Sequence, residues 1–336
     1  MHGIDWRSLY AANQEAIARA GVPTARRAPR ATRPARAPRA TGAGGARVHL
    51  PDGLDPHRPV PLVLMLHGCT QDPASFAAAT RMDAVADREG FVVAYPGQPR
   101  SANIQRCWNW FAPEHRRRGS GEPAAIAAVA HALLQGSARA TVDPARVYVA
   151  GLSSGGAMAA VIAATYPDLV AAAGVHSGIA FGAASGVAAA FALMARGGGD
   201  PEAGGRAAHA AMGARARAVP TMVIHGTADR TVAPVNGREA LVQAMTTGAL
   251  ADPDAAGLDA SRPHRVEAGR VAGGRAYTRS SWTDRRGRLL HAGLEVEGLG
   301  HAWSGGAAGA SHTDPSGPDA SEELWRFFAA AGRPAA

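Results

Sequence analysis

The chain has 336 residues, of which 46% are hydrophobic and 18% charged, and its formal net charge is +8. This length and composition exclude a wholly disordered or fibrous chain and suit one large globular domain or two modest ones. The positive charge is unevenly placed, since the first 44 residues hold eight arginines against Asp5 and Glu15. The charge therefore does not indicate a basic binding face on the remaining body.

The predicted elements begin with a short N-terminal helix over residues 1–21, in which Trp6, Leu9 and Ile17 recur at helical spacing. Residues 22–44 are rich in Arg, Pro and Ala and cannot bury a core, which predicts a disordered linker. This basic N-terminal segment is expected to be solvated, with contact to an anionic surface as the alternative and no specific nucleic-acid partner. No apolar segment typical of a secretory signal is recognisable, which favours a cytoplasmic protein, with secretion as the alternative.

Two further features of the sequence bear on the cellular compartment, namely a long uncharged stretch and a pair of cysteines. Residues 169–195 contain no charged side chain but are mostly Ala and Gly, so they favour a strand, a loop and a helix over a transmembrane span. Cys69 and Cys107 are too few for a disulfide scaffold or a zinc ribbon. One bridge between them is possible and would favour an oxidising compartment.

Strands alternate with helices along the rest of the chain. This alternation predicts the α/β class, with a mostly parallel twisted sheet, helices on both faces and a single domain over residues 45–333. The predicted strands are 60–66, 91–95, 147–150, 171–175, 222–225, 277–282 and 289–296. The predicted helices are 76–88, 122–138, the segment after residue 153, 234–245 and 321–330, with an irregular loop at 96–121 and a polar insertion at 247–274.

The strand 147–150 leads into a G-x-S-x-G pattern centred on Ser153. A strand, a tight turn and a helix are the context in which this pattern forms a nucleophile elbow. Gly151 and Gly155 lack Cβ atoms, so strand and helix can approach closely. Ser153 would then be exposed at the carboxyl end of the strand, and the backbone N–H of Ser154 would face any negative charge forming beside it.

Activation of a serine hydroxyl needs a base and an acid that holds the tautomer of that base. On a parallel sheet these partners should lie in loops at the carboxyl ends of later strands. Asp229 follows one predicted strand and His301 follows another. The resulting order, Ser153, Asp229, His301, is that expected of an α/β-hydrolase, and it makes residues 45–333 the catalytic domain.

Other residues near the strand ends compete for these roles. His67 and His225 directly end strands, where buried structural histidines are common, whereas His176 could touch the site. For Asp284, in a hairpin turn, a turn-forming carboxylate is the simpler interpretation. For Asp229 taken alone, a turn-forming role and a catalytic role are equally good interpretations. These alternatives stay open at the level of sequence.

The second oxyanion donor should come from the loop after strand 60–66. The natural candidate is the backbone N–H of Cys69, which would act beside that of Ser154. A nucleophilic Cys69 is disfavoured, because no strand-to-helix elbow surrounds it.

Five motifs, in this order along the chain, closely resemble those of the catalytic domain of poly(3-hydroxybutyrate) depolymerase family esterases, which are related to feruloyl and acetylxylan esterases. The motifs are Leu66-His67-Gly68-Cys69-Thr70-Gln71, Cys107-Trp108-Asn109-Trp110-Phe111, Gly151-Leu152-Ser153-Ser154-Gly155-Gly156, His225-Gly226-Thr227-Ala228-Asp229 with Pro234-Val235-Asn236-Gly237, and Gly300-His301-Ala302-Trp303. The resemblance implies Ser153 as nucleophile, Asp229 and His301 as its partners, and the Cys69 and Ser154 amides as oxyanion hole.

The resemblance also implies that Trp108 and Trp303 contact the substrate, and His67 is a third candidate for substrate binding. The implied activity is hydrolysis of carboxylic esters, poly(3-hydroxybutyrate) or its oligomers, through an acyl-enzyme and with no metal or organic cofactor. Alternatives are a feruloyl, acetylxylan or short-chain carboxylesterase, and a serine peptidase or dienelactone-type hydrolase. A binding protein that attaches through its Arg/Pro-rich segment and keeps a silent hydrolase body is the alternative outside enzymes. No polymer-binding module is recognisable, which favours soluble esters.

Overall fold

The structure, a computed structural model, describes residues 45–136 and 139–331. The predicted N-terminal helix over residues 1–21 and the linker over 22–44 lie outside the described residues, as do the last two residues of the predicted domain. Within the described part, the chain forms one large sheet with helices packed against both of its faces.

The sheet is mixed but mostly parallel. In spatial order the strands are β1 (Arg47–His49), β3 (Val92–Tyr95), β2 (Val60–Leu66), β4 (Val142–Leu152), β5 (Ala172–His176), β6 (Thr221–Gly226), β9 (Leu289–Val296), β8 (Ala276–Thr283) and β7 (Arg265–Arg270). Six neighbouring strands run parallel from β3 to β9, while β1, β8 and β7 each pair antiparallel with a neighbour. A separate parallel pair joins β10 (Trp303–Ser304) to β11 (Thr313–Asp314).

The central strands are buried on both faces, which explains their continuous apolar sequences. Leu62 and Leu64 of β2 face one helical layer, whereas Val63 and Met65 face the other. The helices are α1 (Pro73–Thr80), α2 (Met82–Glu89), α3 (Gly121–Leu134), α4 (Ser154–Thr165), α5 (Val187–Arg196), α6 (Pro201–Met212), α7 (Val235–Ala251) and α8 (Ala320–Ala331). Helices α1, α2 and α8 cover the Val63 face, and α3, α4, α5 and α6 cover the Leu62 face. The predicted fold class is confirmed.

Two element predictions need correction. The helix expected over 76–88 is two helices, because Arg81 between them has a left-handed backbone with φ of 56°. The polar insertion at 247–274 contains the last turn of α7 and the edge strand β7. Helix α6 was not predicted.

The stretch 169–195 forms β5, a loop and most of α5, as expected. Among the described residues, no helix combines the length and the apolar character that crossing a membrane requires.

The strand order brings several loops together at the carboxyl ends of the parallel strands. Strand β2 lies between β3 and β4, so the chain order reverses between β2 and β4. In open α/β sheets this switch point is where the carboxyl-end loops diverge and leave a crevice. The loop after β2 and the turn after β4 therefore adjoin at that crevice.

Candidate active site

Ser153 occupies a strained turn between β4 and α4. Its φ of 58° and ψ of −119° are unfavourable for a residue with a side chain. A Cβ on Gly155 would collide with the carbonyl oxygen of Leu66, and one on Gly151 would lie 2.6 Å from the same oxygen. The two glycines thus allow the turn to pack directly against the end of β2, as the elbow pattern predicts.

His301 and Asp229 are hydrogen-bonded. His301 Nδ1 lies 2.7 Å from Asp229 Oδ2, and the aspartate side chain is fully buried. The other carboxylate oxygen, Oδ1, accepts backbone N–H groups of Thr231 and Val232, each at 2.9 Å. Burial acts to raise the pKa of Asp229, but interactions with the imidazoles of His225 and His301 and with the backbone N–H of Val232 outweigh it and hold the pKa well below its usual range.

Ser153 and His301 line the same cavity, which has a volume of about 300 Å³. The fold thus brings together a strained serine, a histidine and a buried carboxylate from three distant parts of the chain. Because the carboxylate accepts from Nδ1–H, Nε2 of His301 is left as the proton acceptor. This arrangement can make a hydroxyl in the cavity nucleophilic.

Cys69 and Ser154 adjoin beside the elbow. The Ser154 hydroxyl lies 3.5 Å from the sulfur of Cys69 and accepts the backbone N–H of Trp108 at 3.3 Å. Ser154 is the first residue of the 12-residue helix α4, so its own N–H belongs to the positive end of the helix dipole. Cys69 is joined to Cys107 by a disulfide, which resolves the pairing that the sequence left open.

The cavity wall is largely apolar. Trp108, Trp110 and Phe111 contribute from the loop before α3, and α5 contributes Phe191 and Met194. The indole N–H of Trp108 donates to the carbonyl oxygen of His67 at 3.1 Å, which fixes the ring in the wall. Trp108 therefore lines the cavity, where a substrate could contact it.

Trp303 is not at the cavity, and the expectation that it contacts substrate is corrected. Its side chain is fully buried, packed edge-on to Phe76 and stacked on His176. The indole N–H faces Ser321 Oγ at 3.3 Å. Trp303 therefore belongs to the core beneath the loop that carries His301.

His67 is likewise a structural residue and not a substrate-binding one. The ring is fully buried, Nδ1–H donates to the Gly68 carbonyl at 2.8 Å, and Nε2 accepts the backbone N–H of Gln98 at 3.1 Å. Burial lowers the pKa of His67 to about 4, so the ring is neutral. Its function is to join the loop after β2 to the loop after β3.

The two competing histidines also have structural partners. His225 Nε2 donates to the Val232 carbonyl at 2.9 Å and lies 3.5 Å from Asp229 Oδ2. His176 Nε2 accepts the backbone N–H of Ser304 at 3.1 Å, and burial lowers the pKa of His176 to about 3. His225 thus supports the Asp229 loop, and His176 supports the loop after His301.

Sequence reasoning missed Glu122, which organises the aromatic loop. Its two carboxylate oxygens accept the backbone N–H of Asn109 at 2.8 Å and the side-chain amide of Asn109 at 2.6 Å. Burial raises the pKa of Glu122, against the opposing effect of His115 and the amide donors. An acid at a predicted helix start gives no signal of this role, because such residues are common there. His312, which also lines the cavity, was missed as well.

Comparisons with known proteins identify similar sequences and a similar fold. Residues 46–266 match the family model described as "Esterase PHB depolymerase". Poly(3-hydroxyalkanoate) depolymerase C of Paucimonas lemoignei is 36% identical over 221 residues, which is 65% of this chain and 52% of that protein. Feruloyl esterase B of Neurospora crassa is 35% identical over 190 residues, 54% of this chain and 63% of that protein. The chain thus spans between half and two thirds of the length of these relatives.

A solved structure supports the fold. The acetyl xylan esterase from Aspergillus awamori superposes with a TM-score of 0.66 at 24% identity, covering 85% of this chain and 93% of the other. At this identity the likeness concerns the fold alone. It confirms the expected α/β-hydrolase architecture.

Proposed function

Since this chain belongs to the PHB depolymerase family of esterases, we propose that it is a serine esterase that hydrolyses poly(3-hydroxybutyrate) or its oligomers. The observation that carries the proposal is the hydrogen bond between His301 and the buried Asp229, in the cavity that Ser153 lines. A serine in a strained elbow beside such a histidine is the arrangement that acyl transfer requires.

The proposed mechanism begins with attack of Ser153 Oγ on the ester carbonyl. His301 Nε2 takes the hydroxyl proton, and Asp229 stabilises the imidazolium that forms. Collapse of the tetrahedral intermediate expels the alcohol, which receives its proton from His301, and leaves an acyl-enzyme. A water molecule, deprotonated by His301, then hydrolyses the acyl-enzyme and regenerates Ser153.

The tetrahedral intermediate carries a negative charge that the backbone amides of Cys69 and Ser154 are proposed to bind. Ser154 offers the free N–H of a helix start, where negative charge is favoured. Cys69 is fixed beside it by the disulfide to Cys107. Preorganised donors of this kind are worth about 10²–10³ in kcat each.

A feruloyl-type esterase is the second candidate. The aromatic side chains of Trp108, Trp110 and Phe111 in the cavity wall favour it, because they would stack well on a planar aromatic acid. The related feruloyl esterase B of Neurospora crassa supports the same candidate.

A panel of substrates decides between these functions. We would compare 3-hydroxybutyrate oligomers, methyl ferulate, p-nitrophenyl butyrate and a peptide anilide at equal enzyme concentration. The proposal predicts the highest kcat/KM for the oligomers and negligible cleavage of the anilide. A clear preference for methyl ferulate would favour the second candidate, and a preference for the anilide would overturn both.

Replacement of Ser153 by Ala should abolish the activity on every ester of the panel. Loss of the nucleophile costs about 10⁶ in kcat where a triad acts as a unit. Comparable far-ultraviolet circular dichroism of the two proteins would show that the variant is folded. Hydrolysis by the variant at the parent rate would contradict the assignment of Ser153.

The disulfide leads us to propose an oxidising compartment, hence secretion over the cytoplasmic expectation. Disulfides persist in such compartments and are rare where thiols are kept reduced. Thiol titration of the protein taken from its native cell fraction tests this: oxidised Cys69 and Cys107 support secretion, whereas two free thiols support the cytoplasm.

A further inference from the structure

The cavity wall contains polar side chains that the proposed mechanism does not use. Gln71, Asn103, Gln105, Asn109 and His312 all line it, together with the apolar residues of α5 and the aromatic loop. Side-chain amides and imidazoles in a cavity are available to a ligand only if other protein groups do not already bind them.

Three of the amide side chains are already engaged. Gln71 accepts the N–H of Gly68 at 3.0 Å and donates to the carbonyl of Ser311 at 3.1 Å. The amides of Asn103 and Asn109 are hydrogen-bonded to each other at 3.0 Å. These side chains therefore hold the loops in place and are not free to bind a substrate.

Gln105 and His312 are different. Among the described residues, neither the side-chain amide of Gln105 nor Nε2 of His312 has a hydrogen-bond partner, and both residues are half-buried. The carbonyl of Gln105 accepts the backbone N–H of Thr70, which follows Cys69 in the loop after β2. His312 follows Ser311, whose carbonyl accepts the side-chain amide of Gln71 from the same loop. Gln105 and His312 thus line the cavity that Cys69 also lines.

His312 is held firmly although its ring nitrogen is unused. Its backbone is left-handed, with φ of 56°, and its carbonyl accepts the N–H of Trp303 at 2.7 Å. Nδ1 lies 2.7 Å from Ser311 Oγ. In one tautomer Nε2 would donate to a carbonyl, and in the other it would accept from a hydroxyl.

The charge of the cavity defines the chemistry of the ligand. Among the described residues that line it, none is Arg, Asp or Glu. Burial, and to a smaller degree the proximity of His301, lower the pKa of His312, so its ring is neutral at pH 7. A carboxylate would find no cation in the cavity, whereas an uncharged oxygen would find two polar partners.

We propose that His312 and Gln105 form a polar subsite that binds an uncharged oxygen of the substrate, a carbonyl or hydroxyl outside the scissile ester. The inference rests on the proposed function and deepens it, because a polyester presents such a carbonyl in each neighbouring repeat. His312 is thereby a specificity-determining residue that takes no part in proton transfer.

The test compares His312→Gly with the parent on two esters. The methyl ester of the 3-hydroxybutyrate trimer has oxygens outside the scissile ester, and phenyl butyrate has none. Glycine accepts the left-handed backbone at residue 312, so the variant removes the side chain without straining the fold. Gln105→Ala is the second variant, and His57→Ala, at an exposed position away from the cavity, is the control.

The subsite predicts that kcat/KM for the trimer falls about tenfold or more in either variant, mainly through KM, because a hydrogen bond to the ligand is lost. Phenyl butyrate should be hydrolysed within about threefold of the parent rate, and His57→Ala should match the parent on both esters. Equal losses on the two esters, or no loss on the trimer, would overturn the subsite while leaving the proposed esterase intact. A parent protein inactive on both esters would overturn the proposed function and the subsite with it.

Discussion

At the level of sequence, closing a turn and orienting His301 were alternative roles for Asp229, and in the structure its side chain is placed for both. Oδ1 closes its own turn through the amides of Thr231 and Val232, while Oδ2 faces His301. The turn-forming interpretation and the catalytic one are therefore both compatible with the structure. Because both carboxylate oxygens have hydrogen-bond partners, the side chain of Asp229 is held in one orientation, with Oδ2 towards His301.

Replacing Asp229 by Asn separates the two tasks. The amide can keep an oxygen towards Thr231 and Val232, but it then presents NH₂ to His301 and forces the wrong tautomer. We expect kcat on p-nitrophenyl butyrate to fall about 10⁴-fold. Asp284→Asn is the matched control, since Asp284 also accepts turn amides but does not line the cavity. Equal activity of the two variants would contradict the role of Asp229.

The low pKa of Asp229 also predicts how stability depends on pH. A carboxyl whose folded-state pKa is depressed stabilises the fold fully above its unfolded pKa, about 3.9, and loses that contribution as pH falls through the folded value. The difference in unfolding free energy between the parent and Asp229→Asn should therefore be largest near neutral pH and shrink below about pH 4. Urea unfolding at a series of pH values measures it. A difference that grows towards acid would contradict the assignment.

At the scale of elements, the packing of the elbow against β2 depends on Gly155. A Cβ there would collide with the backbone of Leu66, which cannot move without disturbing the sheet. Gly155→Ala should thus destabilise the protein by about 3 kcal/mol or more and impair activity.

Gly248 provides the matched control for that substitution. It lies inside α7, and a Cβ there would meet only ordinary contacts at 3.6–3.8 Å. Gly248→Ala should be neutral or stabilising by up to about 1 kcal/mol, because alanine favours helix. Thermal unfolding of the two variants measures the contrast. Equal effects would show that the elbow is less tightly packed than the structure indicates.

The disulfide joins the loop after β2 to the loop after β3. Cys69 and Cys107 are 38 residues apart, and the chain-entropy model gives about 4 kcal/mol for closing such a loop. The double variant with serine at both positions should lose about 2–4 kcal/mol of stability. Its kcat should also fall, because both residues line the cavity beside Ser153. Unchanged kcat and midpoint of urea unfolding would contradict this account.

At the scale of the whole molecule, the alternation of apolar strands and helices was sufficient to predict the fold. Buried parallel strands such as β2 are apolar on both faces, so they are recognisable from sequence alone. Ser153, Asp229 and His301 could be proposed from the sequence because each follows a predicted strand, and the structure places Ser153 and His301 at one cavity.

What the sequence could not predict depends on packing between distant segments. The side chain of Trp303 points into the core, where it packs against Phe76 and His176. No local sequence pattern reveals these contacts. The edge strand β7 has an exposed, polar sequence, and its pairing with β8 determines its structure. The left-handed backbone at Arg81, which separates α1 from α2, could not be predicted either, because the neighbouring residues favour helix.

The central claim is that the fold makes the hydroxyl of Ser153 reactive through His301. Labelling with a fluorophosphonate, followed by mass spectrometry of the labelled peptide, tests it most directly. The account predicts a single adduct on Ser153 in the parent, none in Ser153→Ala, and labelling slowed by orders of magnitude in His301→Ala. A parent that remains unlabelled, or an adduct on another residue, would contradict it.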